Sequence, residues 1–268
     1  MKKIEDVLFE IPKNSEIKEE KYACALCHDT GYIFKDDVAI RCKCRAENDF
    51  ALRQKRAGIT PHLKKMDFGN FNYSFYSEAK RTENRTTYRD SARVIVDKSK
   101  EFCQDIIDEK EALGIVFMGS VGCGKTYLAA AIANRLIENK IDVEFVVVPD
   151  FLDELRSTFD YDSPATEIEL MNRIKKVPVL ILDDLGAHNY TEWSIKTLFA
   201  IINYRVNYEL PMVVTTNLSA IEIEELIGAR IYSRLVESCR FLHLRSGYDI
   251  RIKKRQQVNN PDKKTKRI

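Results

Sequence analysis

The sequence predicts an α/β protein built on a doubly wound parallel sheet, preceded by a small cysteine-rich module. Three observations lead there. From Gly114 onward, short, continuously apolar runs alternate with helix-patterned segments, the pattern of parallel strands buried on both faces. A glycine-rich octapeptide at 119–126 sits between one such run and a helix. Four of the seven cysteines crowd into residues 24–44.

The elements follow in order. Residues 1–20 are charged and weakly helical, and residues 22–45 are short, cysteine-rich and glycine-containing. Residues 48–57 are polar and helix-prone, and 66–76 are aromatic and poor in helix formers. Residues 89–107 carry apolar side chains at helical spacing through Ala92, Ile95, Val96, Phe102 and Ile106. Strands are expected at 114–118, 143–148, 178–182, 212–216 and 241–244, and helices at 126–139, 150–159, 167–176, 191–208, 220–227 and 231–238. The chain of 268 residues, 44% hydrophobic and 31% charged, suits one good-sized domain plus a small module. Three parts are expected: 1–60, 61–250 and a basic tail at 251–268.

Formal net charge is only +2, so global charge does not announce a nucleic-acid binder. The basic residues from Arg251 to Arg267 outnumber a lone acid, Asp262. Such a tail attracts phosphate backbones or is simply a solvated end. The first twenty-one residues have no apolar run suited to a signal peptide, and the longest apolar stretch, 177–182, is too short to span a membrane. A cytoplasmic protein is expected, and its cysteines are not expected to form disulfides.

Gly119, Ser120, Val121, Gly122, Cys123, Gly124, Lys125 and Thr126 fit the phosphate-binding pattern G-x-x-x-x-G-K-[ST], with Tyr127 next along the helix. The glycines let backbone N–H groups close around a phosphate, and the helix N-terminus adds partial positive charge. Lys125 is expected on the β- and γ-phosphates of ATP and Thr126 on Mg²⁺. Asp183 and Asp184 end a fully apolar strand and supply a Mg²⁺-associated acid and a polarising base. Asn217 ends a further strand, where it meets the γ-phosphate or merely caps the next helix. Arg230 and Arg234 share one helix face. One of them is an arginine finger for a neighbouring subunit or both are surface ion-pairing groups.

Cys24-x-x-Cys27 and Cys42-x-Cys44 lie about a hairpin apart. The spacing suits a tetrahedral zinc site whose metal folds the module, with His28 a weaker substitute ligand. The competing readings are reduced thiols or a redox pair, and the second cysteine pair makes the redox reading poor.

The order of these motifs resembles the AAA+ ATPases, and within them the DnaC/DnaI-type helicase loaders, related to IstB and DnaA. The resemblance covers about residues 66–250. It rests on Phe-Val-Val-Val-Pro-Asp-Phe-Leu-Asp-Glu-Leu-Arg from Phe145, on Leu182-Asp183-Asp184-Leu185-Gly186, and on Gly228-Ala229-Arg230-Ile231-Tyr232-Ser233-Arg234-Leu235. It implies a five-stranded AAA+ sheet without a C-terminal lid, with the Asn217 strand between the other two site strands. It also implies a slow ATPase using ATP/ADP, Mg²⁺ and Zn²⁺. Asp184 becomes the catalytic acid, Asn217 sensor 1, Arg234 the finger, and Phe71 of Phe68-Gly69-Asn70-Phe71 a neighbour of the adenine. The implied partners are a hexameric DnaB-type helicase docked through the N-terminal region, single-stranded DNA, and further copies of the chain through Arg234. Arg156, Arg173, Lys175 and Lys176 are candidate DNA contacts or, with Asp153, Glu154, Glu167 and Glu169 on the same helices, part of a mixed-charge solvated face. The alternatives are an IstB-like ATPase assisting a transposase and a non-hydrolysing, ATP-bound adaptor.

Overall fold

The computed structural model describes residues 22–35, 38–157, 164–187 and 190–259. The chain divides into two compact units between Asp49 and Phe50, somewhat before the boundary expected at 60.

In the first unit, β1 (Tyr32–Lys35) and β2 (Val38–Arg41) form an antiparallel hairpin. Helix α1 (Lys43–Arg56) follows Cys42 at once and continues past Asp49 into the second unit. It starts earlier than the expected 48, so Cys44 lies in its first turn.

The second unit holds α2 (Tyr88–Ile107), β3 (Gly114–Met118), α3 (Lys125–Glu138), β4 (Val143–Val147), α4 (Val148–Ser157), α5 (Pro164–Lys176), β5 (Val179–Leu185), α6 (Glu192–Asn207), β6 (Met212–Thr216), α7 (Ala220–Ile227), α8 (Ala229–Ser238), β7 (Cys239–His243) and α9 (Ile250–Asn259). The sheet has five strands in the order β4-β5-β6-β3-β7, all parallel. Alternation along each strand divides the core. Ile115, Phe117, Ile181 and Val213 pack with Leu128, Ile132, Leu136 and Phe102 on the α2/α3 face. Val116, Leu180, Leu182 and Val214 pack with Phe151, Leu152, Leu198, Ile201 and Leu235 on the α4/α6/α8 face. Continuous apolar strands are thus required, because both faces are covered.

Caps fix the helix starts. Thr87 accepts the Asp90 amide at α2, and Thr191–Ser194 and Ser219–Glu222 form reciprocal boxes at α6 and α7. The C-terminal stretch departs from expectation: a helix runs through Asn259 where a tail was expected. The Asp249 carboxylate accepts the Arg251 amide at 2.7 Å, and the Ile250 amide donates to the Gly122 carbonyl at 3.0 Å. These bonds seat the helix start on the glycine-rich loop. No helix among the described residues is long and apolar enough to cross a membrane.

Arg205 is fully buried although it reads in sequence as an ordinary helix-surface cation. Its guanidinium donates to the carbonyls of Ile174, Lys175, Val177, Pro178 and Pro211. It thereby caps the C-terminus of α5 and ties together the entries to β5 and β6. Burial pushes its pKa down to about 9. Arg205→Met removes these donors and strands buried carbonyls, and is expected to cost about 3 kcal/mol or more. Urea unfolding with an unchanged m-value measures the loss.

Candidate functional site

The carboxyl ends of β3, β5 and β6 meet at one cleft of about 850 Å³. Val121, Gly122, Gly124, Lys125, Thr126 and Tyr127 line it together with Phe71, Asp184 and Asn217. Of three further sequence-predicted residues, Gly119 and Cys123 form the loop's buried underside and Ser120 is exposed. A Cβ on Gly119 would lie 2.2 Å from the Leu244 carbonyl, and Cys123 is completely buried. Gly124 has φ +108°, and a Cβ there would stand 2.7 Å from the Tyr76 hydroxyl. Both positions need glycine.

Lys125 is almost wholly buried. Its ammonium donates to the carbonyls of Gly119 at 2.8 Å and Ser120 at 3.0 Å, and to Asn217 Oδ1 at 2.6 Å. Burial lowers its pKa. Asn217 is therefore not the cap of α7, a role taken by Ser219. Asp183 is buried, and its Oδ1 accepts from Thr126 Oγ1 at 3.0 Å and Thr215 Oγ1 at 2.6 Å. Burial pushes its pKa up, opposed by these two donors. Asp184 adopts φ +57° in a bulge of β5 and reaches the cleft. Bulges re-aim side chains in this way.

Phe71 stacks on Tyr76 with ring centroids 5.3 Å apart and meets Tyr127 edge-on at 5.6 Å. Tyr76 donates from its hydroxyl to the Cys123 carbonyl at 2.8 Å. The aromatic segment thus braces the loop as well as walling the cleft. Arg251 and Lys254 of α9 complete the lining. Tyr76 and Thr215 escaped sequence reasoning, and the two basic residues were expected only as part of a basic tail. The signal for Thr215 was a polar residue within a buried strand; for α9 it was Asp249, just before the helix, whose carboxylate accepts the Arg251 amide.

The structure does not bring Arg234 to this cleft. It pairs with Glu237 at 2.8 Å on α8. Of the four candidate DNA-contacting residues, Arg173 pairs with Glu144 at 3.2 Å and Arg156 lies over the Trp193 ring at 5.5 Å.

In the first unit the sulfurs of Cys24, Cys27, Cys42 and Cys44 all lie within 4.8 Å of one another. Tetrahedral zinc–thiolate geometry separates sulfurs by about 3.8 Å, so the donor set fits a zinc ion. The Gly31 amide donates to Cys27 Sγ at 3.3 Å. Amide donors from Cys27 and Leu26 bring the Cys24 thiol down to about 7. His28 stands outside the cluster, stacked on Tyr22.

A family model described as "IstB-like ATP binding protein" matches residues 63–258. The chain belongs to the IstB-like ATP-binding family. Within it, the chain is similar to the replicative helicase loader DnaI of Bacillus subtilis, 30% identical over 149 residues, 51% of this chain and 47% of DnaI. It is also similar to the replicative helicase loader DnaC of Escherichia coli, 26% identical over 205 residues, 75% of this chain and 77% of DnaC. Among curated relatives it matches, the chain spans 47% of one and 62% of another. A crystal structure of the DnaC helicase loader superposes with a TM-score of 0.58 at 22% identity, covering 69% of this chain and all of that one. That likeness shows a shared fold for this IstB-like protein.

Two outcomes test the cysteine cluster. Metal analysis of protein purified without chelator is expected to find about one zinc per chain. Cys27→Ser is expected to lose that zinc and the exchange protection of the β1–β2 amides, while amides of β3 and β5 stay protected.

Proposed function

We propose that this protein is an ATP-dependent helicase loader of the DnaC/DnaI type. ATP binding and slow hydrolysis switch its hold on a hexameric replicative helicase and on single-stranded DNA. The observation that carries the reading is the joined set of strand ends: Lys125 bonded to Asn217, and Thr126 bonded to Asp183.

In this reading the loop amides and Lys125 hold the β- and γ-phosphates. Thr126 and Asp183, already hydrogen-bonded to each other, would hold Mg²⁺, which would supply charge neutralisation at the phosphates. Asp184, facing the cleft, orients and polarises the attacking water. An Asp reaches one methylene less far than a Glu, which accords with a slow switch. Asn217, whose Oδ1 accepts from Lys125, donates from its Nδ2 amide to the γ-phosphate and so passes the nucleotide state to β6. Phe71 walls the adenine side. Arg234, outside the cleft of its own chain, serves the nucleotide of a neighbouring copy. The cysteine module is assigned to helicase docking.

The complete set Lys125, Thr126, Asp183, Asp184 and Asn217 favours hydrolysis over a non-hydrolysing adaptor. The similarity to DnaI and DnaC favours a helicase over a transposase as partner.

Co-purification with a DnaB-type helicase, with and without ATP, is the direct test. Capture that changes with nucleotide supports the loader; no capture in either state contradicts it. Lys125→Ala is expected to abolish nucleotide binding, read by calorimetry. Arg234→Ala is expected to spare binding and slow turnover at least ~10-fold. Mixing it with wild-type protein should restore part of the rate if the arginine acts between copies.

A further inference from the structure

Beside the proposed Mg²⁺–ATP site, one buried residue holds both acidic groups, and no motif accounts for it. Thr215 lies in β6, between β3 and β5, and is completely buried. It occupies the α3-facing side of the sheet, two residues from Val213. A hydroxyl has one proton to give and lone pairs to receive. Thr215 spends its proton on Asp183 Oδ1 at 2.6 Å and receives the Asp184 amide at 3.0 Å.

The register explains why one residue reaches two. Leu182 pairs with Val214 and Leu185 with Thr216. Asp183 and Asp184 together therefore oppose Thr215 alone. Without support, the extra residue in β5 is free to relax. Asp184 is held instead at φ +57°, a left-handed conformation unusual for a non-glycine residue. Its amide bond to Thr215 fixes that conformation, and the conformation turns its carboxylate into the cleft. The proton from Thr215 meanwhile fixes one oxygen of Asp183, the same oxygen that Thr126 engages.

We propose that Thr215 is the positioning residue of this site: its single hydroxyl sets Asp183 for the metal and Asp184 for the attacking water. The proposal rests on the Mg²⁺–ATP reading above. It assigns Thr215 no contact with nucleotide. The hydroxyl, rather than the shape of the side chain, is what matters.

The test uses the full chain with Thr215→Val, Thr215→Ala and Thr215→Ser. Affinity for a fluorescent ATP analogue is measured in EDTA and across a Mg²⁺ titration, and turnover in parallel. Val and Ala are expected to keep the EDTA affinity within about twofold. Their Mg²⁺ midpoint should rise about 10–100-fold, the usual cost of losing an outer-sphere partner. Their kcat should fall by a similar factor while KM moves about threefold or less. Ser should restore both. Thermal melting separates packing from positioning: Ala leaves a void that Val does not, yet both should lose the Mg²⁺ response equally. A Val variant with the wild-type Mg²⁺ midpoint and kcat overturns the proposal and leaves the nucleotide reading standing. A Ser variant that fails like Val also overturns it, and that arm holds even if Val and Ala melt below the assay temperature. Wild-type protein that binds no nucleotide overturns the nucleotide reading itself, and the proposal with it.

Discussion

The insertion of β6 between β3 and β5 is the constraint on which the rest of the site depends. Neighbouring parallel strands put their carboxyl ends side by side. The glycine-rich loop after β3, the acid pair after β5 and Asn217 after β6 therefore converge although they are far apart in sequence. Once adjacent, they hydrogen-bond directly. Lys125 reaches Asn217, Thr126 reaches Asp183, and Thr215 reaches across to β5. Each bond links two strands, so a change at one is felt by another. In this order the buried Lys125 gains Asn217 as a partner beyond its own loop carbonyls, and the buried Asp183 gains Thr215 and Thr126; buried charges without partners are costly.

The surroundings serve that convergence. Apolar packing on both sheet faces makes the strand ends rigid. Arg205 secures the opposite end, where it collects carbonyls from the close of α5 and the entries to β5 and β6. From outside, Tyr76 holds the loop backbone at Cys123, and the start of α9 holds it at Gly122. The loop is thus preset by contacts from parts of the chain on either side of it in sequence. A preorganised cradle of this kind spends little free energy on ordering when a phosphate enters.

What was legible in the sequence was local. The octapeptide at 119–126, the apolar run ending in Asp183-Asp184 and the cysteine spacing each carry their chemistry within a few residues. The strand order followed from a resemblance, and the structure has it so. What was illegible depends on partners distant in sequence. Arg205 looks like any solvated helix cation until five carbonyls surround it. Asn217 could be a cap or a phosphate sensor until Ser219 is seen to do the capping. Arg251 and Lys254 read as part of a loose tail because the bonds that seat α9 come from Gly122 and Asp249. Helix α1 begins before its expected start and takes in Cys44, which helix propensity alone does not favour.

In the proposed switch, Asn217, the acceptor for Lys125, is the residue that tells ATP from ADP. Calorimetric affinities for ATP and ADP with Mg²⁺, in wild-type protein and in Asn217→Ala, test it most directly. Wild-type protein is expected to favour one nucleotide, and Asn217→Ala to bind the two alike. An Asn217→Ala variant that keeps the full wild-type preference would contradict it.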